Sequence, residues 1–188
     1  MEDKTSVDMF LGVPIGIDRK HEDYYALMVG NYILGGNFAA RLMQTVRDQM
    51  GLTYGIYSSI GGVGNGNDGY WSVWGTFAPN LLQEGKRATL DQINNWVKGI
   101  TIEELNAKKE TIKGSYKVGL ATTGGLAGQI LMNTEKGYED IMLDDYPNII
   151  NQLTLNKVNA AIQKYINPNS LITVAAGTIN KEGKPLEK

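Results

Sequence analysis

The sequence contains no cysteine and only one histidine, His21. Without cysteine, the chain cannot form disulfides, thiolate metal sites or iron–sulfur clusters, and it has no cysteine nucleophile. One histidine excludes every site that needs two from the same chain, including the H-E-x-x-H motif of many zinc peptidases. No apolar run reaches the roughly 18 residues of a membrane-spanning helix, and the charged start Met1–Lys4 lacks the character of a signal peptide.

Net charge is also small. The 188 residues carry 18 basic and 20 acidic side chains, a formal net charge of −2, which disfavours a nucleic-acid-binding role. With 42% hydrophobic and 20% charged residues, the composition is that of an ordinary globular protein, and we expect one domain over residues 1–188. We expect this domain to be excised from a longer protein. The compartment is left open, with export or a periplasmic location preferred.

Alternation of apolar and polar residues predicts strands, and apolar residues at helical spacing predict helices. The expected strands are 6–15, 52–60, 70–78 and 171–176, of which the last is short and apolar and therefore expected to be buried. The expected helices are 24–34, 38–50, 79–99, 101–118, 126–136, 139–151 and 155–165. Because strands and helices do not alternate regularly, the order favours an α+β fold with helices gathered on one face of a largely antiparallel sheet.

Polar side chains predict where three of these helices begin. Thr101 and Glu104 form a capping box, in which each side chain accepts a hydrogen bond from the other residue's backbone N–H. Asn80 and Gln83 resemble such a box at the start of the long helix. Thr154 is the expected cap of the helix that follows it.

Two local patterns resemble ligand sites but are better explained as structure. Residues 64–69 match G-x-G-x-x-G, yet a dinucleotide site needs a helix after the glycines, and the strand-like residues 70–74 follow instead. We therefore interpret these glycines as a hairpin loop. His21 lies beside two carboxylates at an expected helix start, which favours a helix terminus over a metal ligand. From its residues alone, the chain shows no complete catalytic apparatus.

One stretch is more specific than any of these patterns. Residues 34–42 are L-G-G-N-F-A-A-R-L, and they are followed by Val46-Arg47 and then by G-L-T-Y at 51–54. This arrangement resembles the signature of the pitrilysin family of metallopeptidases, which includes insulin-degrading enzyme and mitochondrial processing peptidase. Ala40 departs from the signature, since the family often has serine at that position.

Looser matches extend the resemblance over nearly the whole chain. T-I-E-E-L-N-A-K at 101–108 resembles a helix start of the family with one residue fewer, and L-T-L-N-K-V at 153–158 resembles its late helix. The resemblance therefore runs from about Val7 to Gly177.

The resemblance implies a pitrilysin-type half domain. In this family one half carries H-x-x-E-H and a further glutamate on zinc, and the other half has the same fold without the zinc motif. With its single histidine, the present chain resembles the second half. We expect it to hold no metal or other cofactor and to show no activity alone. Its expected partners are a zinc-bearing half, in the same parent chain or a partner subunit, and an extended peptide substrate; recognition by strand addition would leave a sheet edge exposed.

The resemblance also implies auxiliary catalytic roles for Arg47 and Tyr54. In the family, a zinc-bound water attacks a peptide carbonyl and an oxyanion develops. The tyrosine hydroxyl can donate to that oxygen, and the arginine can hold backbone carbonyls of the substrate. The alternative is structural: Arg47 would interact with the carbonyl end of its helix, and Tyr54 would be a half-buried strand residue.

Two functions stay open at this point. The chain is either the non-catalytic half of a zinc metalloendopeptidase or a non-proteolytic structural or interaction module of the same fold. The presence of both Arg47 and Tyr54 favours the first function. Neither nucleic acid nor a membrane span is expected among its partners.

Overall fold

The computed structural model describes residues 4–64, 69–138 and 142–186. Four β-strands lie in these ranges: β1 Val7–Pro14, β2 Thr53–Gly61, β3 Tyr70–Phe77 and β4 Ile172–Ala176. Six α-helices accompany them: α1 Tyr24–Leu34, α2 Leu82–Lys98, α3 Ile102–Leu120, α4 Thr123–Glu135, α5 Met142–Gln152 and α6 Leu155–Tyr165. A π-helical segment, Met43–Gln49, precedes β2, and 3₁₀ turns at Pro79–Leu81 and Pro168–Ser170 precede α2 and β4.

The strands form one sheet in the order β2-β3-β1-β4, and each of the three pairings is antiparallel. β1 and β3 are therefore the central strands, and β2 and β4 are the edges. All five helices from α2 to α6 lie between β3 and β4 in the chain. The predicted α+β class with an antiparallel sheet is confirmed.

The two faces of the sheet differ in exposure. Residues of the inner face are buried beneath the helices: Val7, Met9, Leu11, Ile56, Trp71, Val73 and Phe77. On the opposite face, Phe10 of β1 lies across from Trp74 and Val174, and Phe10 and Val174 are about half exposed to solvent. Helices on one face and an open second face follow from the period-two pattern of the strands.

Two tryptophans join the helices to the sheet. The rings of Trp71 in β3 and Trp96 in α2 stack with centroids 5.8 Å apart, and both are fully buried. Trp96 Nε1 donates to the carbonyl of Gly30 at 2.9 Å, and Trp71 Nε1 donates to Asn31 Oδ1 at 2.9 Å. Both indole N–H groups have acceptors on α1, so neither is an unpaired buried donor that would destabilise the fold.

Two of the three predicted caps are confirmed. Thr101 and Glu104 form the reciprocal capping box, and the Thr154 side chain accepts from the backbone of Lys157. The box at Asn80 is wrong, because the 3₁₀ turn delays α2 to Leu82 and the Gln83 amide donates instead to carbonyls of the C-terminal turn. Among the helices described, none is both long and apolar enough to cross a membrane.

The interpretation of the glycine-rich stretch as a hairpin loop is supported at its ends. Gly69 accepts from the backbone of Ile15 and donates to Ile17, both at 2.9 Å, and strand β3 begins at the next residue. Residues 65–68 lie outside the described part of the chain. No helix N-terminus follows these glycines, so they do not form a dinucleotide fingerprint.

The prediction that the last strand is buried is wrong. All five residues of β4 are exposed. The strand pairs with β1 on one side, and no strand of the described ranges pairs with its other side. An edge position explains the exposure, since the helical layer covers the central strands and stops short of this one. The expected exposed sheet edge is therefore present.

Candidate functional site

A sharp turn after the π-helical segment places Arg47 near the start of β2. The segment is anchored by its buried residues Met43 and Val46. Gly51 then adopts a positive φ of 66°, a conformation that L-residues with a Cβ rarely tolerate. Its N–H donates to the Arg47 carbonyl at 2.9 Å, and Leu52 donates to Val46 at 3.0 Å. The chain thus reverses directly into the strand, and both predicted site residues lie at one end of the sheet.

A β-bulge directs Tyr54 out of the sheet. Thr53 lies opposite Phe77 and Gly55 lies opposite Thr76, so Tyr54 is an extra residue without a partner on β3. The Thr53 hydroxyl stabilises the bulge by bonding the Thr76 carbonyl and by accepting from the backbone of Gly55. Bulges of this kind re-aim side chains and are frequent beside active sites. The Tyr54 side chain is 93% exposed.

The Arg47 guanidinium connects the two sides of the turn. Its Nε donates to the Tyr54 backbone carbonyl at 3.0 Å, and its Nη1 donates to Asp48 Oδ1 at 2.7 Å. Within the described ranges, Nη2 and the Tyr54 hydroxyl have no hydrogen-bond partner. Donors therefore remain free on both side chains, and both face the same cleft.

The cleft has a volume of about 630 Å³ and lies where the turn meets the ends of β1 and β3. Its lining consists of Thr5, Ser6, Arg47, Asp48, Gly51, Leu52, Thr53, Tyr54, Thr76, Phe77, Ala78 and Leu81. The floor is apolar, with Leu52 and Phe77 buried, and the polar groups are at the rim. A groove of this type can take an extended chain whose backbone needs hydrogen-bond donors.

The structural alternative fits the position of Arg47 but not its hydrogen bond, and it does not fit Tyr54. Tyr54 is almost fully exposed instead of half-buried, so its role as a packed strand residue is wrong. Arg47 does lie in the last turn of its helical segment, but its Nε bonds the strand carbonyl and not a carbonyl of the segment. Sequence reasoning missed the bulge, although a glycine inside a predicted strand, here Gly55, is a known signal for one.

A second arginine of the motif has a structural role. Arg41 makes a bidentate ion pair with Glu104, with both distances at 2.6 Å. Burial alone would raise the pKa of the Glu104 carboxyl, but hydrogen bonds from Arg41 and from the Thr101 backbone lower it below its usual value. Since Glu104 also completes the capping box of α3, this pair attaches the site-bearing segment to that helix.

The glycine pair at the end of α1 brings the helix against β2. Gly35 accepts a backbone hydrogen bond from Ser58 at 3.0 Å. A Cβ at Gly35 would lie 2.5 Å from the Ser58 nitrogen and 2.8 Å from Leu42. The absence of a side chain is therefore required here by close approach of two backbones.

The chain offers no donor set that fits zinc within the part that the structure describes. No group of three or more His, Cys, Asp or Glu side chains comes together there. The Arg47 guanidinium and the Tyr54 hydroxyl are hydrogen-bond donors. What this arrangement can do chemically is hold and polarise carbonyl oxygens.

The chain matches one family model and is similar to several known proteins. Residues 2–112 match the family described as the Peptidase M16 inactive domain. The uncharacterized zinc protease YmxG of Bacillus subtilis is 31% identical over 145 residues, or 77% of this chain and 35% of that protein. A non-peptidase homolog of Helicobacter pylori is 27% identical over 88% of this chain and 36% of that protein. The crystal structure of a peptidase M16 inactive domain from Pseudomonas fluorescens superimposes with a TM-score of 0.78 and 30% identity, over 93% of this chain and 41% of that one. The chain spans about a third of the length of these curated relatives.

Proposed function

The chain belongs to the family of M16 peptidase inactive domains, and from this we propose that it is the zinc-less half of a two-half metallopeptidase. In this proposal residues 1–188 form one domain of a longer assembly. The domain encloses a peptide substrate against a homologous, zinc-bearing half and supplies Arg47 and Tyr54 to the shared active site. The chain alone has no peptidase activity.

One observation carries this proposal: the Tyr54 hydroxyl and the Arg47 guanidinium present free donors at the rim of one cleft. A bulge, a positive-φ glycine and a buried helical anchor hold the two side chains there. A fully exposed aromatic ring does not stabilise an isolated domain, because the ring buries no apolar surface. It is explained by a partner that approaches this end of the sheet.

The two side chains would have different roles. Tyr54 would stabilise the transition state, and Arg47 would bind the substrate. Zinc in the facing half would activate water and polarise the scissile carbonyl. The Tyr54 hydroxyl would donate to the oxygen of that carbonyl as negative charge develops on it. Arg47, whose Nε is already held by the strand, would use its remaining N–H groups to fix backbone carbonyls of the peptide. The exposed edge of β4 is a second surface on which an extended partner could add as a strand.

The test is reconstitution with the zinc-bearing half encoded with this chain. Each half is expected to be inactive on a fluorogenic peptide, and the mixture active, with loss of activity upon metal chelation. Tyr54→Phe should lower the activity of the mixture, while Tyr70→Phe, a change at an exposed tyrosine of β3, should not. Equal activity of the Tyr54 variant would contradict the proposed role of the hydroxyl.

A second candidate is a non-proteolytic module, which the name of the Helicobacter pylori relative favours. In that case the facing half would lack H-x-x-E-H, and the mixture would form a complex without cleaving peptide. The sequence of the facing half and one activity measurement distinguish the two functions.

A further inference from the structure

A second cavity lies between helices α1, α3, α4 and α5. Its volume is about 190 Å³. It is lined by Arg19, Tyr24, Tyr25, Met28, Tyr116, Gln129, Met132, Asn133, Tyr138, Met142 and Tyr146. None of these residues lines the Arg47–Tyr54 cleft. We refer to it as the tyrosine cavity.

Aromatic rings and thioethers form most of its wall. Tyr25 contacts Tyr24 and Tyr146 edge-to-face, with ring centroids 5.2 and 5.9 Å apart. Tyr116 lies 4.6 Å from Tyr146, and its hydroxyl is bonded to the Leu143 carbonyl at 3.0 Å. Three methionines complete the lining. Such a wall favours an aromatic guest, because ring pairs and sulfur–ring contacts add to the gain from apolar burial.

Three polar atoms of the lining are buried and make no well-formed hydrogen bond among the described residues: Arg19 Nε, Asn133 Nδ2 and Tyr138 Oη. The Arg19 guanidinium and the Tyr138 hydroxyl interact only loosely, with the Tyr24 and Tyr25 hydroxyls respectively. Asn133 is only 4% exposed to solvent. All three atoms carry hydrogens to donate. A single unpaired buried donor is uncommon in a folded protein, and three around one cavity require acceptors there, which ordered water or a bound ligand can supply.

Local hydrogen bonds hold two of these donors side by side. Gln129 donates to Asn133 Oδ1 at 2.9 Å, which occupies the amide oxygen and leaves Nδ2 free. Helix α4 ends at Glu135 and Gly137 adopts a φ of 65°, so that the chain folds back and Tyr138 N donates to the Asn133 carbonyl at 2.9 Å. The placement of Tyr138 beside Asn133 is therefore built into the end of the helix.

Arg19 provides the positive charge of the lining. Its backbone is fixed to Val63 at 2.9 Å, and its guanidinium lies 5.5 Å from the centre of the Tyr24 ring. No carboxylate of the described residues makes an ion pair with it. Burial raises the pKa of Tyr138 and raises that of Tyr146 to about 12, so these hydroxyls are neutral donors and do not neutralise the arginine.

We propose that the tyrosine cavity binds a small carboxylate that carries a single aromatic ring. The carboxylate accepts from Arg19, Asn133 and Tyr138, and the ring packs among the tyrosines and methionines. The size agrees, since a cavity of about 150 Å³ holds benzene and this one is somewhat larger. Charge agrees as well, because the described lining contains one cation and no carboxylate, and its unpaired polar atoms are donors from which an anion can accept hydrogen bonds.

Phenylacetate is the probe, and titration calorimetry with saturation-transfer NMR is the measurement. Phenylacetate should bind, phenylacetamide should bind about tenfold more weakly or worse for lack of charge, and acetate should show no saturable binding for lack of a ring. This series needs no variant and so does not depend on any substitution being tolerated. Equal affinity for phenylacetate and its amide, or absence of binding at millimolar phenylacetate, would overturn the proposal and leave ordered water as the occupant.

Variants then assign the site. Arg19→Gln should weaken phenylacetate binding about tenfold or more, and Tyr138→Phe about two- to tenfold, in line with charged and neutral hydrogen bonds. Arg87→Gln is the matched control, because Arg87 is an exposed arginine of α2, and it should leave the affinity unchanged. Binding that survives both cavity substitutions intact would place the ligand elsewhere and refute the assignment.

Discussion

Arg47 Nε donates to the backbone carbonyl of Tyr54 across a distance of 3.0 Å, so the two residues that the family signature singles out are joined directly. The contact uses the main chain of Tyr54 and leaves its hydroxyl free. A substitution at Arg47 therefore affects Tyr54 as well, through the position of the strand. The reverse does not hold, because a change in the phenol ring leaves the carbonyl in place.

Tyr54→Phe should separate catalysis from stability. The ring is 93% exposed, so loss of the hydroxyl should leave the free energy of unfolding unchanged within about 0.5 kcal/mol. In the complete two-half protein, kcat should fall about 10²–10³-fold, the usual cost of one oxyanion donor. Peptide cleavage rates and a urea melt of the same samples check both statements. A rise in KM with kcat unchanged would show that Tyr54 contributes to substrate binding only.

Arg47→Ala should act mainly on substrate affinity. Charged hydrogen bonds to peptide carbonyls exist in the ground state as well as the transition state, so KM should rise about tenfold or more. A smaller loss in kcat is expected as Tyr54 loses its anchor. Arg47→Lys should not restore activity, because lysine lacks the planar fork of donors.

The control for Arg47 is Arg87→Ala, which removes an exposed arginine of α2 away from the cleft. Steady-state kinetics at several ionic strengths distinguish specific contacts from general attraction. If both variants raise KM equally, net charge and not the site geometry governs substrate binding.

Gly35→Ala should destabilise the fold, and Gly114→Ala should stabilise it. A Cβ at Gly35 meets the backbone of Ser58 at 2.5 Å, which forces α1 away from β2 at a cost of about 1–3 kcal/mol. Gly114 lies inside α3 with open space around it, so alanine gains up to about 1 kcal/mol of helix propensity. Two urea melts measure the difference, and equal signs for both variants would contradict the close-approach argument.

The Arg41–Glu104 pair should make stability depend on pH in the acid range. The folded-state pKa of Glu104 is lowered, so the folded protein binds fewer protons than the unfolded chain. Its contribution is therefore present above the ordinary glutamate pKa of about 4.3 and is lost as the pH falls through the folded value. Glu104→Gln should cost about 1–3 kcal/mol at pH 7, and this difference from wild type should shrink below pH 4. A constant difference would show that the carboxylate charge is not what stabilises the contact.

The open edge of β4 should lead to self-association of the isolated chain. Unpaired backbone groups on an exposed edge strand can pair with a second copy. Val174→Lys places a charge on this edge strand and should reduce the dimer fraction in analytical ultracentrifugation. Val118→Lys, a change at a 73% exposed valine of α3, serves as the control and should have no effect. A monomer at all concentrations would mean that the edge is protected in solution.

Much of the fold and part of the site follow from local sequence. Helix α1 begins and ends as its apolar spacing and Gly35 predict, and the Thr101–Glu104 box forms as expected. These features depend on neighbours within a few residues, where backbone preference and side-chain caps decide the structure. The same holds for the turn at Gly51, which brings Arg47 and Tyr54 together.

Other features depend on residues that are distant in sequence. The apolar run of β4 predicts burial, yet the strand is exposed because its place at the sheet edge is set by pairing with β1. The bulge at Tyr54 arises from the register with β3, and the register is a property of two strands. Neither the edge position of β4 nor the register between β2 and β3 can be predicted from composition or from short motifs.

Most helices and strands, the family signature and the lack of a two-histidine metal site could be predicted from the sequence, because they depend on residue types and short spacings. Which hydrogen-bond donors are left free could not be predicted, because it depends on contacts between distant segments. The Arg41 guanidinium is bonded to Glu104, whereas Arg47 retains N–H groups without a partner among the described residues. Around the tyrosine cavity, different segments of the chain bring together Arg19, Asn133 and Tyr138. Whether a polar group is satisfied depends on every atom around it, and that environment exists only once the chain has folded.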